Sequence, residues 1–317
     1  MARNDKQRIV LGSSHLGLDG GTEHAFRLLD AFVALGGTII DTAAVYSDWI
    51  PGEKGRSERI IGDWLQSRPR PPELQIATKG GHPFLDSMST SRLDANSILS
   101  DIEGSLRRLR VDEIDLYYLH RDDEGRPVEE ILKPLADARS QGKIVEVGLS
   151  NWRPARILAA IESDLIPIAS NQLFGNALSF VAGPLADASI IRLDGAAYQQ
   201  ARRHSLSMML FSSQCQGFFN RWKTRPDEVP SHYGNPECLR VAKDIADVAD
   251  GLDADPTTIA LAFLLNFSPL LFPVVGPKSS EQLEATLQAS AVHLDDQTLT
   301  ALRSVTGYDK LLTNSVF

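Results

Sequence analysis

Residues 114–120 read Ile114-Asp115-Leu116-Tyr117-Tyr118-Leu119-His120. Apart from Asp115 the run is apolar, and it stops at a histidine. A strand with one wet face alternates apolar and polar residues; a run this continuous fits a parallel strand covered on both faces. The same texture recurs along the chain, in Arg8–Leu11, Thr38–Asp41, Leu74–Thr78, Ile144–Leu149, Ile168–Asn171, Ser207–Phe211 and Phe272–Val275. Between these runs lie segments of helical period: Glu23–Leu35, Ser57–Leu65, Ser97–Leu109, Val128–Gln141, Arg153–Ile161, Glu237–Asp250, Pro256–Asn266 and Glu281–Ala289. Eight strands alternating with helices over 317 residues predict a single α/β domain spanning residues 1–317, folded as a (β/α)8 TIM barrel. Two long connections interrupt the rhythm, Gly175–Ser205 after strand six and Gln214–Pro236 after strand seven. In such a barrel the segments that follow strands build the active face, so these loops are expected to be functional. A doubly wound dinucleotide fold would need a GxGxxG turn, and Gly17-Leu18-Asp19-Gly20-Gly21 has the wrong spacing.

Composition narrows the function. Hydrophobic residues make up 43% and charged residues 23% of the chain, as in an ordinary globular protein. A net charge of −9 argues against nucleic acid or an anionic membrane as partner, since both require basic surface. The start of the chain lacks the apolar run of a signal peptide, and the longest apolar stretch, Ile259–Phe267, is too short to span a bilayer. Two cysteines, Cys215 and Cys238, form neither a CxxC pair nor a zinc-like cluster. A cytoplasmic protein without a metal is expected, with a single disulfide left open.

Strand two ends in Ile39-Ile40-Asp41, with Tyr46 five residues further on; strand three ends in Thr78-Lys79, and strand four in His120. A barrel would bring these four side chains to one mouth. Taken singly, each has an ordinary structural reading, such as a buried ion pair or a rim histidine. Together they match what carbonyl reduction requires. A tyrosine can protonate the oxygen, a lysine can lower the tyrosine's pKa, an aspartate can hold the lysine's charge, and a histidine can polarise the carbonyl.

Asp41-Thr42-Ala43-Ala44-Val45-Tyr46, Lys79 and His120 resemble the Asp-Tyr-Lys-His tetrad of the aldo-keto reductases. So do Gly55-Arg56-Ser57-Glu58-Arg59-Ile60-Ile61-Gly62, Ser105–Leu109 and Gly142–Asn151. The similarity runs from about Arg8 to His293. It implies an NAD(P)H-dependent oxidoreductase of aldehydes, ketones or sugars, with the cofactor extended across the barrel mouth.

By that resemblance Ser150, Asn151 and Gln172 would hold the nicotinamide carboxamide, although Ser150-Asn151 alone also reads as a cap for the helix entered at Arg153-Pro154. Phe211 would stack on the nicotinamide, where the family commonly has tyrosine. Ser212 follows it, and beyond that point the sequence departs from the family's Tyr-Ser-Pro-Leu. Gly276, Lys278, Ser279 and Gln282 would meet the phosphates at a helix N-terminus, although Ser279 and Gln282 also fit a capping box. Lys278 and Ser279 point to NADP, with NAD as the alternative. Trp49, Trp152 and Trp222 are expected to line the substrate pocket. Arg192, Asp194, Asn220 and Arg221 add polar groups suited to a sugar or hydroxy-aldehyde. The competing function is that of a regulatory subunit built on the same barrel, for which cofactor binding matters more than turnover.

Overall fold

A computed structural model describes residues 4–18 and 20–313 of the chain. Residues 1–3, part of the N-terminal stretch without a signal-peptide pattern, and residues 314–317, the end of the C-terminal tail, lie outside the described residues. Eight parallel strands close into a barrel: β1 (Val10–Gly12), β2 (Ile39–Asp41), β3 (Gln75–Gly80), β4 (Ile114–Leu119), β5 (Ile144–Ser150), β6 (Ile168–Phe174), β7 (Ser207–Phe211) and β8 (Leu271–Val275). The helices are α1 (Asp5–Arg8), α2 (Gly21–Ala34), α3 (Arg56–Gln66), α4 (Ala95–Leu109), α5 (Val128–Ser140), α6 (Pro154–Glu162), α7 (Gly195–His204), α8 (Pro236–Gly251), α9 (Pro256–Phe267), α10 (Ser280–Leu287) and α11 (Asp296–Thr306). The expected (β/α)8 architecture, with long connections after β6 and β7, is the one found.

The chain contacts divide into two compact units. One comprises residues 10–171 and 276–283; the other comprises residues 1–9, 172–275 and 284–317. In the first unit the register places Asp41 beside Ala77 and Lys79 beside Tyr118, which aligns the C-terminal ends of β2, β3 and β4. Tyr118 lies opposite Gly148, and a Cβ at Gly148 would stand 2.2 Å from the Tyr118 ring. Glycine there lets the ring cross the barrel interior, where its hydroxyl donates to Ser170 Oγ at 2.6 Å.

In the second unit the structure corrects two expectations. Arg8 ends α1 and does not begin a strand. Its buried guanidinium donates to the carbonyls of Leu265, Ser268 and Leu271. The Gly175–Ser205 segment also contains a helix, α7, capped by the Asp194 carboxylate, which accepts from Ala197 N at 2.8 Å. Its buried residues are Ala197, Tyr198, Gln200 and Ala201, which give too weak an apolar period to be read as a helix. Both cysteines are free and buried. Among the described residues no helix is long and apolar enough to cross a membrane.

Candidate active site

Asp41 and Lys79 stand on adjacent strands and are almost completely buried. An ammonium has three donors and no acceptor. Lys79 Nζ directs them to Asp41 Oδ2 at 2.7 Å, the Thr42 carbonyl at 2.7 Å and the Tyr46 hydroxyl at 3.1 Å. Tyr46 is carried by the turn after β2, whose backbone is pinned where Ala44 N donates to the Lys79 carbonyl. His120 follows β4, and its ring meets the Tyr46 ring edge-on at 6.1 Å between centroids. The four residues expected at the barrel mouth therefore lie in one cluster, within one compact unit.

The electrostatics differ from the expectation in one respect. Burial is the largest influence on Tyr46 and raises its pKa; Lys79 pulls it down and Asp41 pushes it back up. The net shift is upward, so the neighbouring ammonium does not make a ready phenolate, and Tyr46 is a protonated acid. Burial also works hardest on Lys79, against its charge, but Asp41 and the hydrogen bonds prevail and hold the ammonium above its usual range. His120 is driven well below the imidazole range, first by burial and then by Lys79, Arg121 and His82, and is neutral. Its Nδ1 is buried without a hydrogen-bond partner among the described residues.

The expected cofactor residues are placed as follows. Ser150 and Asn151 are buried at the end of β5, and Asn151 Nδ2 donates to the His120 carbonyl at 3.3 Å, so the pair is not a helix cap. Arg153 precedes α6 without a side-chain cap. Gln172 is buried on β6, with Nε2 3.6 Å from Met209 Sδ. Phe211 ends β7 against Phe174, and the carbonyl of Ser212, at φ 58°, accepts from Asn176. Gly276 borders open space, with no atom within 4 Å of where a Cβ would stand. Lys278 is exposed; Ser279 Oγ accepts from Gln282 N at 3.3 Å as a cap of α10, while Gln282 Oε1 accepts from Lys278 N at 2.8 Å, so the Ser279 half of the expected capping box forms and the Gln282 side chain turns to the residue before the cap. Gly276 and Lys278, with Gly12, His15 and His24, line a cavity of this unit. These residues fit a dinucleotide. Asn171 Oδ1, buried and without a hydrogen-bond partner among the described residues, suits an amide donor, and Gly276 leaves room for a close backbone approach.

The expected substrate residues fare differently. Trp49 is 49% exposed and leans on His15. Trp152 has no exposed surface; its Nε1 donates to the Arg121 carbonyl, so it supports the His120–Arg121 turn from beneath. Trp222 stacks on Phe218 in the other unit. The polar groups expected to favour a sugar are occupied within the fold. Arg192 donates to the carbonyls of Ser179, Ala182 and Gly183; Arg221 binds the carbonyls of Gln216 and Gly217; Asp194 is the cap of α7; Asn220 Oδ1 accepts from Thr257.

Sequence reasoning missed three further residues. Glu58, fully buried, accepts from Thr78 Oγ1 and pairs with Arg108, which explains why an acid stands in Gly55–Gly62. Asp101 holds Gly81 N and Arg92 behind β3. His82 packs its ring on His120 at 4.8 Å. A second histidine three residues after Lys79 was the only signal for it.

Residues 8–306 match the sequence profile of the aldo/keto reductase family. The chain belongs to that family. This aldo/keto reductase is 26% identical to an aryl-alcohol dehydrogenase [NADP(+)] of Phanerodontia chrysosporium, over 91% of its own length and 77% of the relative's. It is 28% identical to the norsolorinic acid reductase stcV of Emericella nidulans, over 95% and 78% of the two chains. It is also 28% identical to the uncharacterized oxidoreductase YrpG of Bacillus subtilis, over 94% and 91%. The aldo/keto reductase is thus an NAD(P)H-dependent oxidoreductase of small carbonyl compounds, as its residues led one to expect.

Proposed function

We propose that the protein reduces an aromatic carbonyl with NADPH, using Tyr46 as the proton donor. The observation that carries this reading is the set of three contacts made by Lys79 Nζ, which ties Asp41 to the Tyr46 hydroxyl in a buried place. The bound nicotinamide would supply the hydride. The chain's own residues would do the rest. Tyr46, held protonated by burial, gives its proton to the carbonyl oxygen as charge develops there. The phenolate left behind faces Lys79, whose charge steadies it, and Asp41 keeps that charge fixed. Neutral His120 directs Nε2–H at the same oxygen; its partnerless Nδ1 is best left as a lone pair.

Ser150, Asn151 and Asn171 would orient the carboxamide. By the family resemblance, Gln172, Phe211 and Ser212, at the ends of β6 and β7, would also serve the cofactor. Gly276, Lys278, Ser279, Gln282 and the N-terminus of α10, capped by Ser279, would receive phosphate. The exposed lysine supports NADPH over NADH, in keeping with the NADP(+) named for one relative. Substrate class rests on the apolar side chains exposed in the loops after β2 and β3, namely Trp49, Phe84, Leu85 and Met88, and on the aryl-alcohol name of that relative. The test is cofactor oxidation by the purified protein against aryl aldehydes, aliphatic aldehydes and sugars. NADPH consumption fastest with aryl aldehydes is expected. Oxidation of neither NADPH nor NADH with any carbonyl would overturn the reading, and cofactor binding without turnover would favour a regulatory subunit.

A further inference from the structure

Gly20, the residue before α2, takes left-handed backbone at φ 77°, and a Cβ there would stand 2.9 Å from the His24 Cβ. Glycine thus leaves room for the His24 ring in the first turn of the helix. That ring reaches the segment after β8. Its Nε2 lies 2.6 Å from the Lys278 carbonyl, which can only accept, so Nε2 donates. The Lys278 N–H is held as well, by Gln282 Oε1 at 2.8 Å. Both peptides that flank Lys278 are therefore tied, one to α2 and the other to α10. His24 and Lys278 line one cavity together with Gly12, His15 and Gly276, and all five belong to the same compact unit.

We infer that His24, acting as a positioning residue, sets the preference for NADPH over NADH by fixing the backbone of Lys278. This rests on the reading of Lys278 given above, in which its ammonium meets the phosphate that NADPH carries and NADH lacks. Peptides are planar, so two tied neighbours fix the direction in which the Lys278 side chain leaves the backbone. A lysine on a loose loop gives up backbone freedom when it grips an anion; one already fixed gives up only side-chain freedom. NADH offers that lysine nothing to hold, so the anchoring favours one cofactor and leaves the other as it was. The Nε2–H of His24 is engaged by the Lys278 carbonyl, and the histidine acts through the lysine.

The experiment titrates NADPH and NADH into the full-length parent, His24→Leu, His24→Gln, Lys278→Ala and the combination of His24→Leu with Lys278→Ala, and reads the ratio of the two Kd values. Lys278→Ala is expected to cut the preference for NADPH by roughly tenfold or more, the scale of a charge-assisted hydrogen bond. His24→Leu should cut it by roughly threefold to tenfold, through weaker NADPH binding with NADH unchanged. His24→Gln, whose amide N–H can donate to the same carbonyl, should keep most of it. The combined variant should lose no more than Lys278→Ala alone, because both changes act on one contact. An unchanged ratio in His24→Leu overturns the inference, as does an equal loss for both cofactors. A further loss in the combined variant overturns it too, since His24 would then act without the lysine, and so does a His24→Gln no better than His24→Leu. Should His24→Leu fail to fold, a folded His24→Ala is held to the same outcomes. Failure of the underlying reading shows itself separately, as a Lys278→Ala that keeps the parental ratio.

Discussion

Ser47, directly after Tyr46, is buried at φ 75°, and its Oγ has no hydrogen-bond partner among the described residues. A residue with a Cβ in left-handed backbone costs on the order of 1 kcal/mol, and glycine relieves that cost. Ser47→Gly should therefore stabilise the protein by about 1 kcal/mol in urea unfolding; a lower midpoint would show that the Ser47 side chain contributes something the geometry does not reveal. At this scale the sequence was informative wherever chemistry dictated residue type at a strand end. Asp41, Lys79, Tyr46 and His120 stand together because parallel strands in register end together. The direction of the Tyr46 shift was not legible, because it depends on how deeply the hydroxyl is buried, and burial outweighs Lys79. Glu58, Asp101 and His82 stayed hidden for a related reason. Their roles are set by partners many residues away, Thr78 and Arg108, Arg92, and His120.

Among the elements, α7 was the one most plainly lost to sequence reading, and Asp194 shows why. As a lone acid in a long loop it resembled a substrate ligand; in the structure its carboxylate accepts from Ala197 N and starts a helix. Removing an N-cap costs about 0.5–2 kcal/mol. Asp194→Ala should lower the unfolding midpoint accordingly and leave KM for a good substrate unchanged. A raised KM with an unchanged midpoint would restore the ligand role. Strands were more legible than helices, because a strand covered on both faces declares itself by an unbroken apolar run, whereas α7 buries alanine, glutamine and a single tyrosine. The short α1 escaped for another reason: Arg8 reads as a strand residue until its guanidinium is seen binding three carbonyls.

At the scale of the whole molecule, burial that serves the chemistry also sets the response to acid. His120 is held well below the usual imidazole range, by burial first and then by Lys79, Arg121 and His82. His232, in the other unit, is lowered by burial and by Arg192. Unfolded histidines take up protons near pH 6.5, so below about that pH the unfolded chain binds protons that the folded chain refuses. Unfolding free energy should therefore fall as pH drops through about 6.5 toward the lowered folded values. His120→Gln should lose less stability than the parent between about pH 7.5 and about pH 5.5 in urea unfolding; equal losses would show that His120 is not held neutral. The barrel itself was legible from its eight apolar runs, and the reaction class from four residues at their ends. Which proton reaches the carbonyl is the claim on which the account depends, and Tyr46→Phe addresses it most directly. Phenylalanine keeps the ring and removes the hydroxyl that Lys79 touches at 3.1 Å. The decisive measurement is single-turnover hydride transfer from NADPH to a carbonyl that the parent reduces. The account predicts a loss of ~10²–10⁴-fold or more in Tyr46→Phe with NADPH bound normally; transfer at the parental rate would mean that the proton comes from elsewhere.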